Sequence, residues 1–311
     1  WASPVGWGQE MQPWGANRWW PLLFSLVLTV VLLGVALAIE ARRDVGAGLL
    51  VARSGPAAAP ARFASPLGLA LHLQRNVIIG WTLTVVLAAL MFGSVAPSMT
   101  ELADDSAGSF AQVLGGTGVA ALLSMLVTMT SLIVTVFAIQ TTVTMRQDEA
   151  SGIIEPQLAG SVSRTRWAGQ RLLIPAVGSA VLLLISGALL GVGYASAGGD
   201  TDLTGSLMLA ALTYWPAVIL LTGIAVLLFG WLPHFTIAGS WAILAAMWIL
   251  VVSGDALNVP QAVLDAMPFT ATPHQPLEPM AWTPVVLLAL VGLGLLWAGV
   301  SRFARRDIQT D

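Results

Sequence analysis

Residues 113–145 read VLGGTGVAALLSMLVTMTSLIVTVFAIQTTVTM, and residues 146–171 continue as RQDEASGIIEPQLAGSVSRTRWAGQR. The first run carries no charge from Val113 to Met145. As a helix rising about 1.5 Å per residue it would be roughly 50 Å long, whereas a bilayer core is about 30 Å thick. Such a run is a membrane span whose inner end projects into water, unless it breaks near Gly115-Gly116. The second run switches abruptly to charge. Asp148, Glu149 and Glu155 are followed by Arg164, Arg166 and Arg171. Gly152 is placed to end the long helix. Pro156 permits a short new helix with Glu155 near its start, for which Ile153, Ile154 and Leu158 supply apolar contacts. Ser163 can cap the span that follows.

Composition extends this reading to the whole chain. Of 311 residues, 57% are hydrophobic and only 9% charged, against roughly 25% charged in a soluble domain. Seven segments have the roughly 20 apolar residues a membrane helix needs: Trp20–Ile39, Val77–Ala96, Val113–Thr142, Leu172–Tyr194, Leu207–Phe229, Phe235–Val252 and Pro284–Val300. The fifth and sixth are separated only by GWLPHFT, where Gly230 and Pro233 can break the helix. The fold class is therefore an all-α integral membrane protein.

Arginine placement sets the orientation, because cytoplasmic loops are enriched in Arg and Lys. Twelve of the 13 Arg fall after the first, third and seventh spans or just ahead of the second, and only Arg18 lies on the other side. The alternate loops carry Glu101, Asp104, Asp105, Asp200, Asp202, Asp255, Asp265 and Glu278 without Arg. Residue 1 is thus expected outside, and the C-terminus in the cytoplasm, of a multi-pass protein of the inner cell membrane. No secretory signal pattern precedes Trp1, and the chain is expected to be the C-terminal part of a longer one.

The tetrapeptide Ala-Arg-Arg-Asp occurs twice, at Ala41 and Ala304, each time directly behind an apolar run. In the same register Pro13 aligns with Pro276, Trp19 with Trp282 and Pro21 with Pro284. Six spans separate the two copies, so both face the same way. Coincidence is one explanation; a six-span unit repeated in parallel is the other. On the second reading, residues 1–44 are an outer loop and the last span of a first half. Residues 45–65 are an Ala/Pro-rich cytoplasmic linker, and 66–311 are a complete second half. Within it PLGLALHLQRN (66–76), with His72 and Arg75, is expected as an interfacial helix, or else as the cytoplasmic start of the second span.

The loop 146–171 resembles the first cytoplasmic loop of type-2 ABC exporter permeases. The resemblance rests on Asp148-Glu149, Gly152, Glu155, Leu158-Ala159 and Val162-Ser163-Arg164. SPVGWGQEMQPW, ARRDVGAGLL and SPLGLALHLQR are similar to the middle of the actinobacterial subgroup called exporters of polyketide antibiotics. One departure is Ser161, where that family usually has Pro before Val-Ser-Arg. The resemblance implies that the last six helices form one repeat unit of such a permease and that the loop holds a coupling helix. It implies docking on a separate ABC ATPase subunit, two copies in all, through Asp148, Glu149, Gly152, Glu155, Leu158 and Arg164. Read from the residues alone, the same charges can also be a solvated loop capping two helices.

No Lys occurs, so a Walker-type phosphate loop is excluded from this chain, and any ATP and Mg would belong to the partner. The chain is expected to be a transport permease without catalytic, metal or cofactor residues. Cys is absent, and His72, His234 and His274 lie in separate segments. Expected partners are the ATPase, the first permease half, membrane lipid and a hydrophobic or amphiphilic small molecule; nucleic acid is not among them. Charges are missing from mid-span, which argues against a proton-coupled secondary transporter. That alternative and a non-transporting membrane scaffold remain the competing classes. Ser124, Thr128, Ser131 and Thr135 lie on one face of the third span. They can line a substrate passage, or they can bond their own backbone and a neighbouring helix.

Overall fold

The computed structural model describes residues 3–12, 15–41, 65–105, 118–160, 162–254, 257–276 and 278–308, the side chains of 100–105 excepted. All regular structure among them is helical, and seven helical stretches are long and apolar enough to cross a membrane. The chain divides into two units, residues 1–59 and 60–311.

In the first unit, α1 (Pro4–Glu10) is capped by Ser3, whose Oγ accepts from the Gly6 N–H at 3.1 Å. The apolar α2 (Leu22–Glu40) follows. The rings of Trp7 and Trp20 pack on Phe24 at 5.6 and 5.7 Å. The expected linker 45–65 lies outside the described residues apart from Ser65, as does the first tetrapeptide beyond Ala41.

The second unit opens with Ser65, whose Oγ accepts from the Gly68 N–H at 3.0 Å and caps α3 (Pro66–Asp105). This helix is 40 residues long without interruption. Residues 66–76, expected as an interfacial helix or else as the start of the second span, are the first turns of this single rod. No helix breaker lies between Pro66 and the second span. Ala70 and Gln74 are buried, so the segment packs against a neighbouring helix along its length. Ile79, Leu83, Leu87, Met91 and Val95 recur every four residues on α3, all exposed.

The central helix is α4 (Val119–Ala150), with 78% of its most apolar window buried. It starts later than the expected Val113. Gly118 forms its N-cap at φ +83°, a left-handed conformation that favours glycine. Gly115-Gly116 and Ser161 lie outside the described residues. Two amide pairs tie α3 to α4: Gln74 Nε2 donates to Thr144 Oγ1 at 2.9 Å, and Trp81 Nε1 donates to Gln140 Oε1 at 2.7 Å.

After the short α5 (Ile154–Leu158) comes α6 (Arg164–Ser196), which packs on α3 and α4. The stretch expected as one span, Leu207–Phe229, is two helices, α7 (Leu203–Leu212) and α8 (Trp215–Trp231). Pro216 has no N–H for the Leu212 carbonyl and sits in the first turn of α8, so the helix restarts there. Gly187 and Gly191 of α6 lie against α7. A Cβ on Gly187 would come within 2.7 Å of Met208 Cα, and one on Gly191 within 2.6 Å of Thr204 Cα.

A 3-10 turn at Pro233–Phe235 leads into α9 (Thr236–Ser253), then α10 (Gln261–Asp265) in the long segment that follows α9, then α11 (Trp282–Arg305). The most extensive helix pairing is between α8 and α11. A Cβ on Gly223 would stand 2.7 Å from the Gly292 carbonyl oxygen, and one on Gly292 2.8 Å from the Leu220 nitrogen. Gly230 and Gly299 meet seven residues further along each helix. The two helices therefore run parallel in near backbone contact, as small-residue seams allow.

Candidate coupling site at the arginine-rich end

The helix ends of α4, α6, α8 and α11 gather around α5. α4 stops at Ala150, Ser151 donates from Oγ to the Gln147 carbonyl at 2.8 Å, and Gly152 turns the chain at φ +72°. That conformation is why a glycine stands there. Ile154 then begins α5 fully buried, while Ile153, Glu155 and Pro156 are exposed. Ser163 caps α6, its Oγ accepting from the Arg166 N–H at 3.3 Å.

α5 rests on a small apolar core of its own, made of Met145, Ile154, Trp167, Ala168, Phe229 and Phe303, with Leu158 against it. The Phe229 and Phe303 rings lie 4.8 Å apart, and Trp167 and Phe303 5.7 Å apart. Trp167 Nε1 donates to Gln157 Oε1 at 2.9 Å and fixes α5 to α6.

Beside this core sits a buried ionic knot. Glu149 is wholly buried, and its carboxylate accepts two parallel bonds from Arg306, at 2.5 and 2.7 Å. Arg146, one turn back on α4, donates to it at 3.3 Å. Arg306 Nη2 also donates to the Phe229 carbonyl at 3.1 Å. In a continuous helix that carbonyl would receive the N–H of residue 233, but Pro233 has none. Arg306 therefore replaces a missing helical donor. Its own carbonyl accepts from Arg164, and its guanidinium lies 5.1 and 5.3 Å from the Phe229 and Phe303 ring centres. A second pair joins Asp148 to Arg171, whose guanidinium stacks 4.7 Å from the Trp167 ring.

Of the expected docking set, Glu149 is turned inward, a carboxylate with no exposed surface and with guanidinium partners from Arg306 and Arg146. Asp148 is turned toward Arg171, and Arg164 toward the Arg306 carbonyl. Gly152 makes the turn, and Leu158 packs inward. Glu155 is the member of the set whose side chain is on the outside. His72 is half-buried and Arg75 exposed, with Arg75 Nη1 3.4 Å from His72 Nδ1. Sequence reading missed Arg306, which looked like part of an ordinary stop signal; its repetition in the tetrapeptide was the available hint.

The hydroxyl stripe lies in the interior of the bundle. Ser124, Thr128, Ser131 and Thr135 are all buried. Thr128 Oγ1 is 3.0 Å from the Ser124 carbonyl and 2.7 Å from the Tyr214 hydroxyl, and Thr135 donates to the Ser131 carbonyl at 2.8 Å. Tyr214 stacks on Phe269 of the segment between α9 and α11 at 5.8 Å. Thr128 is the member of the stripe that meets the helix break, through Tyr214. The Ser124 and Ser131 hydroxyls have no partner among the described residues.

Two cavities accompany the fold. One, about 320 Å³, is entirely apolar, between Leu67, Leu71 and Ile78 of α3, Phe137 of α4, and Ile174 and Val177 of α6. The other, about 400 Å³, lies at the α7–α8 break and adds Thr213 and Gln275 to walls that include Leu212, Trp215, Met280 and Trp282.

A family model described as the C-terminal domain of the multidrug efflux system permease Rv1217c matches residues 63–304. The multidrug efflux system permease protein Rv1217c of Mycobacterium tuberculosis (strain ATCC 25618 / H37Rv) is 35% identical to this chain over 314 residues. The alignment takes in 99% of the chain and 57% of that relative, so the chain spans little more than half the relative's length.

Proposed function

Since the chain belongs to the family of the multidrug efflux system permease Rv1217c, we propose that it is the C-terminal half of the membrane permease of an ATP-driven exporter. A separate ABC ATPase subunit, two copies in all, docks on α5 and its flanks at the arginine-rich end, which is the cytoplasmic side. A first six-span half precedes the linker at 45–65 and faces this one. ATP and Mg are held by the ATPase. ATP binding closes its dimer, the movement enters through α5, and the two halves shift to release a hydrophobic or amphiphilic compound outward.

The observation that carries this reading is α5 itself. A five-residue helix with Ile153, Glu155 and Pro156 outward and Ile154 anchored on Trp167, Phe229 and Phe303 presents a small, firmly backed surface. A solvated loop that merely capped two helices would have no need of that backing. The orientation is supported by the arginine bias, since Arg146, Arg164, Arg166, Arg171, Arg302, Arg305 and Arg306 collect at this end. Among the described residues the buried charges Arg146, Glu149, Arg171 and Arg306 are confined to the same end, which supports ATP coupling over a proton relay across the span.

The test is Glu155→Arg in the whole permease co-expressed with its ATPase. Association with the ATPase and drug-stimulated hydrolysis should fall, while the amount of folded permease stays at the parental value, as for a surface change. Unaltered association and export would refute docking on α5.

A further inference from the structure

We infer that Arg306 is a positioning residue that makes the coupling loop and the helix pair α8 and α11 move as one body. The inference rests on the reading that α5 receives the ATPase.

The loop between α4 and α6 is held at both ends by this one residue. At its entry Glu149 receives the Arg306 guanidinium at 2.5 and 2.7 Å. At its exit Arg164 donates to the Arg306 carbonyl. The same guanidinium supplies the donor that Pro233 denies to Phe229, at the end of α8. Arg306 is itself the C-cap of α11, its N–H donating to the Arg302 carbonyl at 3.1 Å. Four long helices, α4, α6, α8 and α11, thus meet on a single side chain and its peptide group.

The chemistry restricts what could replace it. A planar guanidinium can grip a carboxylate with two parallel bonds and still reach a carbonyl; an ammonium is a point charge that cannot hold both in fixed geometry. The surroundings hold the group still, because Arg306 is buried at 8% exposure against the packed Phe229 and Phe303 rings. Beyond this point α8 and α11 run in parallel backbone contact at Gly230 and Gly299, then at Gly223 and Gly292. A displacement of α5 is therefore delivered through Arg306 to a helix pair that cannot slide independently. Without the grip, α5 would still bind the ATPase by its outer face, and the push would be spent within the loop.

The experiment uses the whole permease with its ATPase in proteoliposomes and rhodamine 6G as probe. It measures dye moved per ATP hydrolysed, basal hydrolysis and retained ATPase subunit. Arg306→Gln should keep the ATPase and basal hydrolysis while dye moved per ATP falls about tenfold, within the usual span of coupling between sites. Arg306→Lys should recover part of that loss. Because a lone buried carboxylate is destabilising, Glu149→Gln/Arg306→Gln is run beside them; it should recover folded amount without recovering dye per ATP. A merely structural role would lower transport and hydrolysis together and leave their ratio unchanged. Parental dye per ATP in either Gln variant, or loss of the ATPase from Arg306→Gln, overturns the proposal while the docking of α5 stands. A parent complex with neither bound ATPase nor dye-stimulated hydrolysis overturns the docking reading and this inference with it.

Discussion

Replacing Gly292 with Ala adds one methyl group to the α8–α11 seam, and its effect can be worked out in advance. The new Cβ would stand 2.8 Å from the Leu220 nitrogen, 2.9 Å from its Cα and 3.1 Å from the Ile219 carbonyl carbon. These are backbone atoms of a helix and cannot rotate away. Restoring an ordinary contact of about 3.5–4.0 Å requires the helices to part by roughly 0.7 Å or more. Overpacking of this kind costs about 1–3 kcal/mol. Ala is favoured over Gly within a helix by about 1 kcal/mol, which would partly mask the cost. Gly294, two residues along the same helix, provides the correction. A Cβ there meets nothing within 4 Å, so Gly294→Ala keeps the propensity gain without the clash. The two variants should therefore differ by about 1–3 kcal/mol. At about 2–4 °C per kcal/mol for a unit of this size, Gly292→Ala should melt some 2–12 °C below Gly294→Ala. The assay is the fraction of purified permease that remains monodisperse in detergent after heating. Equal midpoints, or a higher midpoint for Gly292→Ala, would refute close parallel packing of α8 on α11.

Thr128→Val and Tyr214→Phe each remove one partner of the 2.7 Å bond between α4 and the helix break. Thr128→Val should cost about 1–3 kcal/mol in the same assay, because the Tyr214 hydroxyl is left unpaired, and Tyr214→Phe only about 0.5–1.5 kcal/mol, because Thr128 keeps the Ser124 carbonyl; the double variant should cost clearly less than the sum, and strict additivity would mean the bond contributes nothing. Leu212→Trp should narrow the roughly 400 Å³ cavity at the break. Export of bulky lipophilic dyes should then fall with basal ATP hydrolysis unchanged, and an unaltered dye profile would remove this cavity from the transport route.

The spans were legible because their length and apolarity answer to bilayer thickness alone. Local punctuation was legible for the same reason: Gly152, Ser163 and the break at Gly230–Pro233 act on their own few residues. What escaped depends on partners far away in sequence. Glu149 in a charged loop looks like a surface carboxylate until Arg306, 157 positions on, closes over it. Pro216 inside an apolar stretch is tolerated in many membrane helices, so the restart at Trp215 needed the Tyr214–Thr128 and Tyr214–Phe269 contacts to show it. The beginning of α3 looked like a surface helix because Leu67, Leu71 and Arg75 have the spacing of one; Gln74 meeting Thr144 raises it upright instead. The glycine seam left a readable trace, since Gly223 and Gly230 share the seven-residue interval of Gly292 and Gly299.

The exposed row on α3 carries a consequence for the lipid itself. From Ile79 to Val95 it rises about 24 Å along the helix axis, and it is bounded below by Arg75 and Asn76. The hydrocarbon of an average bilayer is about 30 Å thick, and a shorter belt thins the membrane around it at a modest cost per ångström. Where this row alone meets lipid, acyl chains next to α3 would be compressed, and shorter or more disordered chains would gather there in preference to long saturated ones. Because α3 is one stiff rod, a thicker bilayer would be met by lipid rearrangement on this side, and not by bending of the helix.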